Sequence, residues 1–229
     1  MATTAIVSYD DTLNDHDALV FGRVLADAGA SLTLAYVRHT TETRRDREEL
    51  EEHEAEALLE RGARWLGDLD VDRRVVVSAS TGEGLRWLAE QEEADIVVFG
   101  SDYRTAAGHV APQQSAQKLL EGGPAAVAIA PANYRADRAP RITRIGLLAD
   151  PGDDAAIETA RALADRLEAT VTRDERQVDL LVVGSRFEAP EGRVMVTARA
   201  QNAIENATAP VLVVARGVAL SFAPALAIY

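Results

Sequence analysis

A chain of 229 residues, 47% hydrophobic and 27% charged, has the make-up of a globular protein large enough for one large domain or two small ones. It has no cysteine, which excludes disulfides and thiolate metal sites, and its net charge of −13 argues against nucleic acid, which needs a basic footprint. No apolar run approaches the ~20 residues of a membrane helix, and the opening MATTAIVSYD reads as a strand, not a cleavable leader. A cytoplasmic protein without membrane contact is expected.

Taken in order, Ala5–Tyr9 is a short apolar run closing on Asp10 and Asp11, a buried strand. Asn14 to Ala28 places Leu19, Val20, Val24 and Leu25 on one helix face, with Asn14 and Asp15 as caps and Gly29 as the stop. Leu32–Val37 is the second strand. Thr41 to Leu66 is a long charged helix with Leu50, Leu58, Leu59, Trp65 and Leu66 inward. Its cluster Arg44, Arg45 and Arg47 is followed at once by Glu48, Glu49, Glu51 and Glu52, a solvated face and not a phosphate-binding stripe. Arg74–Ala79 is the third strand. Gly84 to Glu93 is the third helix, burying Leu85, Trp87 or Leu88, and Ala89, and both Trp65 and Trp87 read as core. Ile96–Phe99 is the fourth strand, Gln114–Glu121 the fourth helix and Val127–Ala130 the fifth strand. Alternating strands and helices imply a mainly parallel sheet in the order 3-2-1-4-5, with its switch point between strands one and four. Asp10 and the loop after Gly100 then face one crevice.

After a polar connection over residues 133–140 the pattern restarts. Ile145–Ala149 is a strand ending at Asp150, Asp154 to Leu167 a helix, and Leu180–Val183 the counterpart of strand four. DIVVFGS recurs as DLLVVGS, and 26 positions separate Gly100 from Ala126 as they do Gly184 from Pro210. The second half is shorter in the middle, because 90 positions separate Asp10 from Gly100 but only 34 separate Asp150 from Gly184. Thr172 to Asp179 leaves no room for a parallel crossover, so Thr170–Thr172 is not expected to serve as a strand, and three parallel strands with two helices are expected. The chain divides into a complete domain (1–132), a linker (133–140), a shortened domain (141–217) and an apolar tail (218–229). The tail is expected to fold back over the missing elements or the other half.

These residues resemble the universal stress protein family: strand one ending in Asp10, the charged second helix, the two GS-ended strands, and the closing Pro210–Val214. The resemblance implies two adenine-nucleotide-alpha-hydrolase-like α/β domains in tandem, the second with a reduced sheet, paired through their fifth strands as a pseudo-dimer. It also implies a stress-response role and a loop of the form G-x2-G-x9-G-[S/T] that meets the phosphates of ATP. Mapped onto the first half, that loop is Gly100, Tyr103, Gln113 and Gln114; onto the second, Gly184, Phe187, Thr197 and Ala198. Only the first glycine survives in each, so backbone amides are no longer bare where phosphate would approach. Gly108 and Gly192 lie off register. The resemblance makes Asp10 and Val37 the adenine and ribose wall, with Gly100, Ser101, Gly108, Gln113 and Gln114 as the remaining nucleotide-site residues. Tyr103 and Phe187, at equivalent places, are candidate plugs of the two crevices.

Asp10, Asp11, Asp15, Asp17 and Asp102 are expected to crowd the first crevice, and Asp150, Asp153, Asp154, Glu188 and Glu191 the second, repelling a triphosphate. The run Asp10–Asp17 lacks the alternating ligands of a calcium loop, so no metal site is assigned. His16, His39, His53 and His109 are scattered without a triad partner, and Ser80–Gly84 lacks the lysine of a P-loop. No catalytic residue is assigned. The function expected is regulation or protein binding with degenerate nucleotide loops, in an internal pseudo-dimer that leaves room for homo-oligomers. The alternative is an ATP- or AMP-binding sensor or slow ATPase using an altered first loop, with neither nucleotide held tightly.

Overall fold

Among the described residues, nine strands form one continuous sheet. The structure, a computed structural model, describes residues 3–39, 45–67 and 69–222. The first half runs β1 (Thr4–Ser8), α1 (Leu13–Ala28), β2 (Ser31–His39), α2 (Arg45–Leu66), β3 (Val71–Ser78), α3 (Thr81–Gln91), β4 (Ile96–Gly100), α4 (Gln114–Leu120), β5 (Glu121–Gly123) and β6 (Ala126–Ala130). The second runs β7 (Arg144–Leu148), α5 (Asp154–Leu167), β8 (Thr170–Thr172), β9 (Leu180–Val183), β10 (Val194–Met195), α6 (Ala198–Glu205) and β11 (Val211–Val213). The sheet order is β3-β2-β1-β4-β6-β11-β9-β7-β8, so the first half has the expected 3-2-1-4-5 arrangement, counting β6 as its fifth strand. Arg44 of the basic cluster, and the side chains of Arg45, Arg47 and Leu50, lie outside the described residues.

Strands β4, β6, β9 and β11 are buried on both faces, which is why their sequences are unbroken apolar runs. Helices α1, α2 and α5 cover one face and α3, α4 and α6 the other, giving two cores separated by the sheet. The halves meet where β6 and β11 pair antiparallel, Val127 opposite Val213 and Ile129 opposite Val211. All other ladders in this sheet are parallel.

Three local expectations are corrected. Helix α1 is capped by Thr12, whose hydroxyl accepts from the Asp15 amide while Asp15 bonds back to Thr12, a capping box that begins earlier than Asn14. Trp87 is 53% exposed on α3, because Leu85, Leu88 and Ala89 already fill the inward face. Thr170–Thr172 is a strand, pairing parallel with β7, so the second half contributes four parallel strands. The crossover limit does not apply because the return is not a helix. Residues 173–179 pass over β7 beside Gly146, and β8 is so short that the return spans only ~10 Å along the strands and two spacings of ~4.8 Å across them. Gly146 makes this passage feasible: a Cβ there would sit 3.2 Å from the Asp174 carbonyl oxygen and from Val178.

Asp17 fixes the connection between the halves. It is fully buried, its carboxylate accepts from the backbone amides of Asn133 (2.9 Å) and Arg135 (2.8 Å), and both its oxygens receive the Arg135 guanidinium. Farther along, Leu220 and Phe222 are buried, the Leu220 amide donates to Thr159 of α5, and the Ser221 carbonyl accepts from Thr3 beside β1. The start of the tail thus touches both halves; residues 223–229 lie outside the described residues.

Gly146→Val is expected to destabilise the protein by about 1–3 kcal/mol through overpacking of the crossing segment, read as a lower denaturant midpoint. Asp17→Ala, which strands the Arg135 charge and two amides, should cost roughly 3–5 kcal/mol in the same titration.

Candidate functional site

The first candidate is an open cavity of about 780 Å³ at the C-terminal ends of β1 and β2, within the range of small-molecule pockets. Its apolar wall comes from Tyr36, Val37, Ala55 and Leu58, and its polar wall includes Asp10, Asp15, Arg38, His39, Arg61 and Gln113. The structure therefore brings together three of the predicted nucleotide-site residues, Asp10, Val37 and Gln113. Gly100, Ser101, Gly108 and Gln114 do not line it. A Cβ at Gly100 would run into the Asn14 carbonyl oxygen, and the Asn14 amide donates to the Ser101 carbonyl at 2.7 Å. The first turn of α1 thus closes the part of the crevice beside β4.

The acidic crowding is weaker than the sequence implies, because three of the five carboxylates point elsewhere. Asp11 is bound by the Tyr9 hydroxyl and the Arg61 guanidinium, both at 2.8 Å, and these contacts, the tyrosine first, pull its pKa down. Asp17 holds Arg135 and Asp102 accepts from the Arg104 amide. Asp10 and Asp15 do face the cavity. Burial pushes the Asp15 carboxyl above its ordinary range against the hydrogen bonds from Thr12 and the Asp10 amide. Asp10 reaches solvent, yet burial on its protein side and then the charge of Asp15 push it up, with His39 opposing. Arg38 and Arg61 were not singled out from sequence, and His39 was weighed only as one of four scattered histidines; the helical spacing of Arg61 and the strand-end position of His39 carry no signal until β1, β2 and α2 are assembled.

The two equally spaced loops share one hydrogen-bond pattern, repeated with an offset of 84 residues. Ser101 donates to the Ala130 carbonyl at 2.7 Å and accepts from the Ala111 amide; Ser185 donates to Val214 at 2.7 Å and accepts from Met195. The Gly108 amide bonds to the Ala132 carbonyl and the Gly192 amide to Arg216, each at 2.8 Å with φ of 79° and 73°. Each loop then reaches the other half. The Val110 amide bonds to the Ala207 carbonyl after α6, and β10 pairs antiparallel with β5 after α4. Glycine at 108 and 192 suits the left-handed turn that each loop makes there.

Tyr103 is 73% exposed and stacks with Arg104, away from the first cavity, so it does not plug it. Phe187 is 69% exposed with the Arg216 guanidinium over its ring, and it lines a second cavity of about 400 Å³ with Asp150, Asp153, Asp154 and Glu191. Glu188 does not line that cavity. His16 stacks on Trp65, His39 meets the Thr81 hydroxyl at 3.1 Å, and His53 is exposed. Among the described residues no group of three or more His, Cys, Asp or Glu is placed to hold a metal, and no helix is long and apolar enough to cross a membrane.

No protein-family model and no curated protein sequence matches the chain. Solved structures do. A universal stress protein from Archaeoglobus fulgidus DSM 4304 is similar over 93% of this chain and 98% of its own, at 13% identity and a TM-score of 0.69. A protein of Pseudomonas aeruginosa UCBPP-PA14 named for the same family is similar over 93% of both chains, at 14% identity and a TM-score of 0.61. A protein of unknown function from Pseudomonas aeruginosa PAO1 covers 94% of this chain and 93% of its own, at 14% identity and a TM-score of 0.60. The chain has the universal stress protein fold, an α/β fold with a mostly parallel central sheet.

A carboxyl whose pKa is raised on folding takes up its proton in the native state before the unfolded chain does. Stability contributed through Asp15 should therefore increase as pH falls from neutral toward its ordinary value of 3.8. Asp15→Asn is expected to flatten that part of the stability–pH curve, measured by urea denaturation across the interval.

Proposed function

We propose that this chain is a universal stress-type regulatory protein made of two tandem halves, a pseudo-dimer within one polypeptide, acting in the cytoplasm through a protein partner. In both halves the loop after the fourth strand of the fold has been given over to joining the halves, and it no longer cradles phosphate. The observation that carries this reading is the hydrogen-bond inventory of the loops. The amides of Asp102, Gly108, Val110 and Ala111, which a phosphate would have to recruit, already bond to Ala111, Ala132, Ala207 and Ser101. The second loop repeats the pattern at Arg186, Gly192 and Met195. Freeing these groups would break the bonds that hold each loop's path and, at Val110, a contact between the halves, a cost that adds to the missing glycines and to the facing carboxylates.

One observation favours a second reading. The first cavity keeps Asp10 and Val37 and adds Arg38, His39 and Arg61, a donor set for a nucleoside or monophosphate. In that reading the protein is an ATP- or AMP-binding sensor or slow ATPase. Calorimetric titration of the purified chain with ATP and magnesium, and with AMP, separates the two. Dissociation constants weaker than roughly 100 μM for both are expected, and tighter binding, about −5.5 kcal/mol or better, selects the second reading.

A further inference from the structure

Arg186 and Met195 form a side-chain pair that the repeated loop does not require. By the offset of 84 residues, Arg186 corresponds to Asp102 and Met195 to Ala111. The backbone bond is the same in both loops: the Arg186 amide donates to the Met195 carbonyl at 2.7 Å, and the Asp102 amide to the Ala111 carbonyl at 2.9 Å. In the first loop no side-chain contact accompanies it, because Asp102 turns to the Arg104 amide and Ala111 offers only a methyl group. In the second loop the Arg186 guanidinium reaches across, and its Nη2 donates to the Met195 Sδ at 3.3 Å. A thioether is a weak acceptor, poorly matched to a cation. The Arg186 Nε is buried without a partner, and among the described residues no carboxylate pairs with this guanidinium. A buried donor left unmet is costly. Arg186 lines neither of the cavities described above, so the sulfur is the one side-chain acceptor it has.

We propose that Met195 is a site of oxidation by hydroperoxides, and that Arg186 is the group that receives the sulfoxide. The thioether attacks one peroxide oxygen; an S–O bond forms as the O–O bond breaks, and sulfur gives up two electrons. The departing hydroxide takes the proton of the transferred oxygen and leaves as water, or as the alcohol from an alkyl hydroperoxide. The product carries a strongly accepting oxygen on the atom that Nη2 already meets. Nε and Nη2 share one edge of the planar guanidinium, so one oxygen there accepts from both, in charge-assisted bonds. In most packed sites a sulfoxide is disruptive, because an apolar side chain has become polar. Here the donors are in place before the oxygen arrives. Met195 is only half-buried, and β10 pairs with β5 through Glu121 and Gly123, so the modification falls on a ladder that joins the halves.

The test treats the intact chain with excess hydrogen peroxide and maps sulfoxide by mass spectrometry, with N-acetylmethionine in the same tube as a reference thioether. Thermal melts are then recorded for the reduced and oxidised forms of the wild type, Arg186→Leu and Arg186→Gln. Met195 is expected to convert fully where the reference has done so, with the wild-type melting temperature unchanged or raised. In both Arg186 variants the same oxidation should lower it by about 3 °C or more, on the order of a tenfold loss in the folding constant. The backbone bonds of the loop do not involve the Arg186 side chain, and melts of the reduced variants check that they fold. Met195 remaining reduced after the reference is consumed overturns the inference. So does an equal drop in wild type and variants, or variants that lose nothing on oxidation. Should a variant not fold, the wild type decides alone, since a drop of that size in it overturns the assignment of Arg186.

Discussion

The antiparallel ladder between β6 and β11 is the constraint on which the rest of the molecule depends. It turns two parallel sheets into one, and it fixes the relation of every other element across the seam. Because Val127, Ala128 and Ile129 face Val213, Leu212 and Val211, the strands on either side point in opposite directions. The loop after β4 and the loop after β9 therefore lie at opposite ends of the sheet, each close to the far half. That closeness is what lets Val110 bond to Ala207 and β10 pair with β5.

The serine at the end of each repeated strand is the local device that makes this work. Ser101 and Ser185 are buried, and each hydroxyl bridges a carbonyl on the fifth-strand side to an amide on the returning loop. A buried hydroxyl must be paired, so this arrangement holds the loop in one path. The 26-position spacing kept in both copies then has a structural reason independent of any ligand: it sets the length that carries the loop from strand to seam and back into the fifth strand. Gly108 and Gly192, off register for phosphate binding, are in register with each other for the turn.

The shortened half shows how a fold of this kind survives losing a helix from each face. The segment after β8 passes over β7 beside Gly146 where a helix would otherwise pack, and the chain after β11 places Leu220 and Phe222 in the core shared by α1 and α5. Both solutions substitute irregular backbone for helix. They tolerate it because the backbone groups find partners, as the Leu220 amide does in Thr159 and the Ser221 carbonyl in Thr3.

The sequence by itself determined the alternation of elements, the doubly buried strands, the strand order of the first half and the repeat. All of these rest on hydrophobic period and on spacing along one chain. Strand order set Asp10 and the loop after Gly100 at one crevice, and the family resemblance added Val37 and Gln113; Asp10, Val37 and Gln113 do line one cavity. Tertiary structure alone decided where the charges go. Asp11, Asp15 and Asp17 lie close together in sequence, yet one meets Arg61 of α2, one caps α1 and one clamps Arg135, because Asp11 precedes the helix and helix rotation turns Asp15 and Asp17 in different directions. It also decided that Trp87 faces solvent and that Thr170–Thr172 is a strand, because each depends on what packs beside it and not on its own residues. The fold was legible in local pattern; the site was not, because it is made of pairings between segments that sequence leaves unconnected.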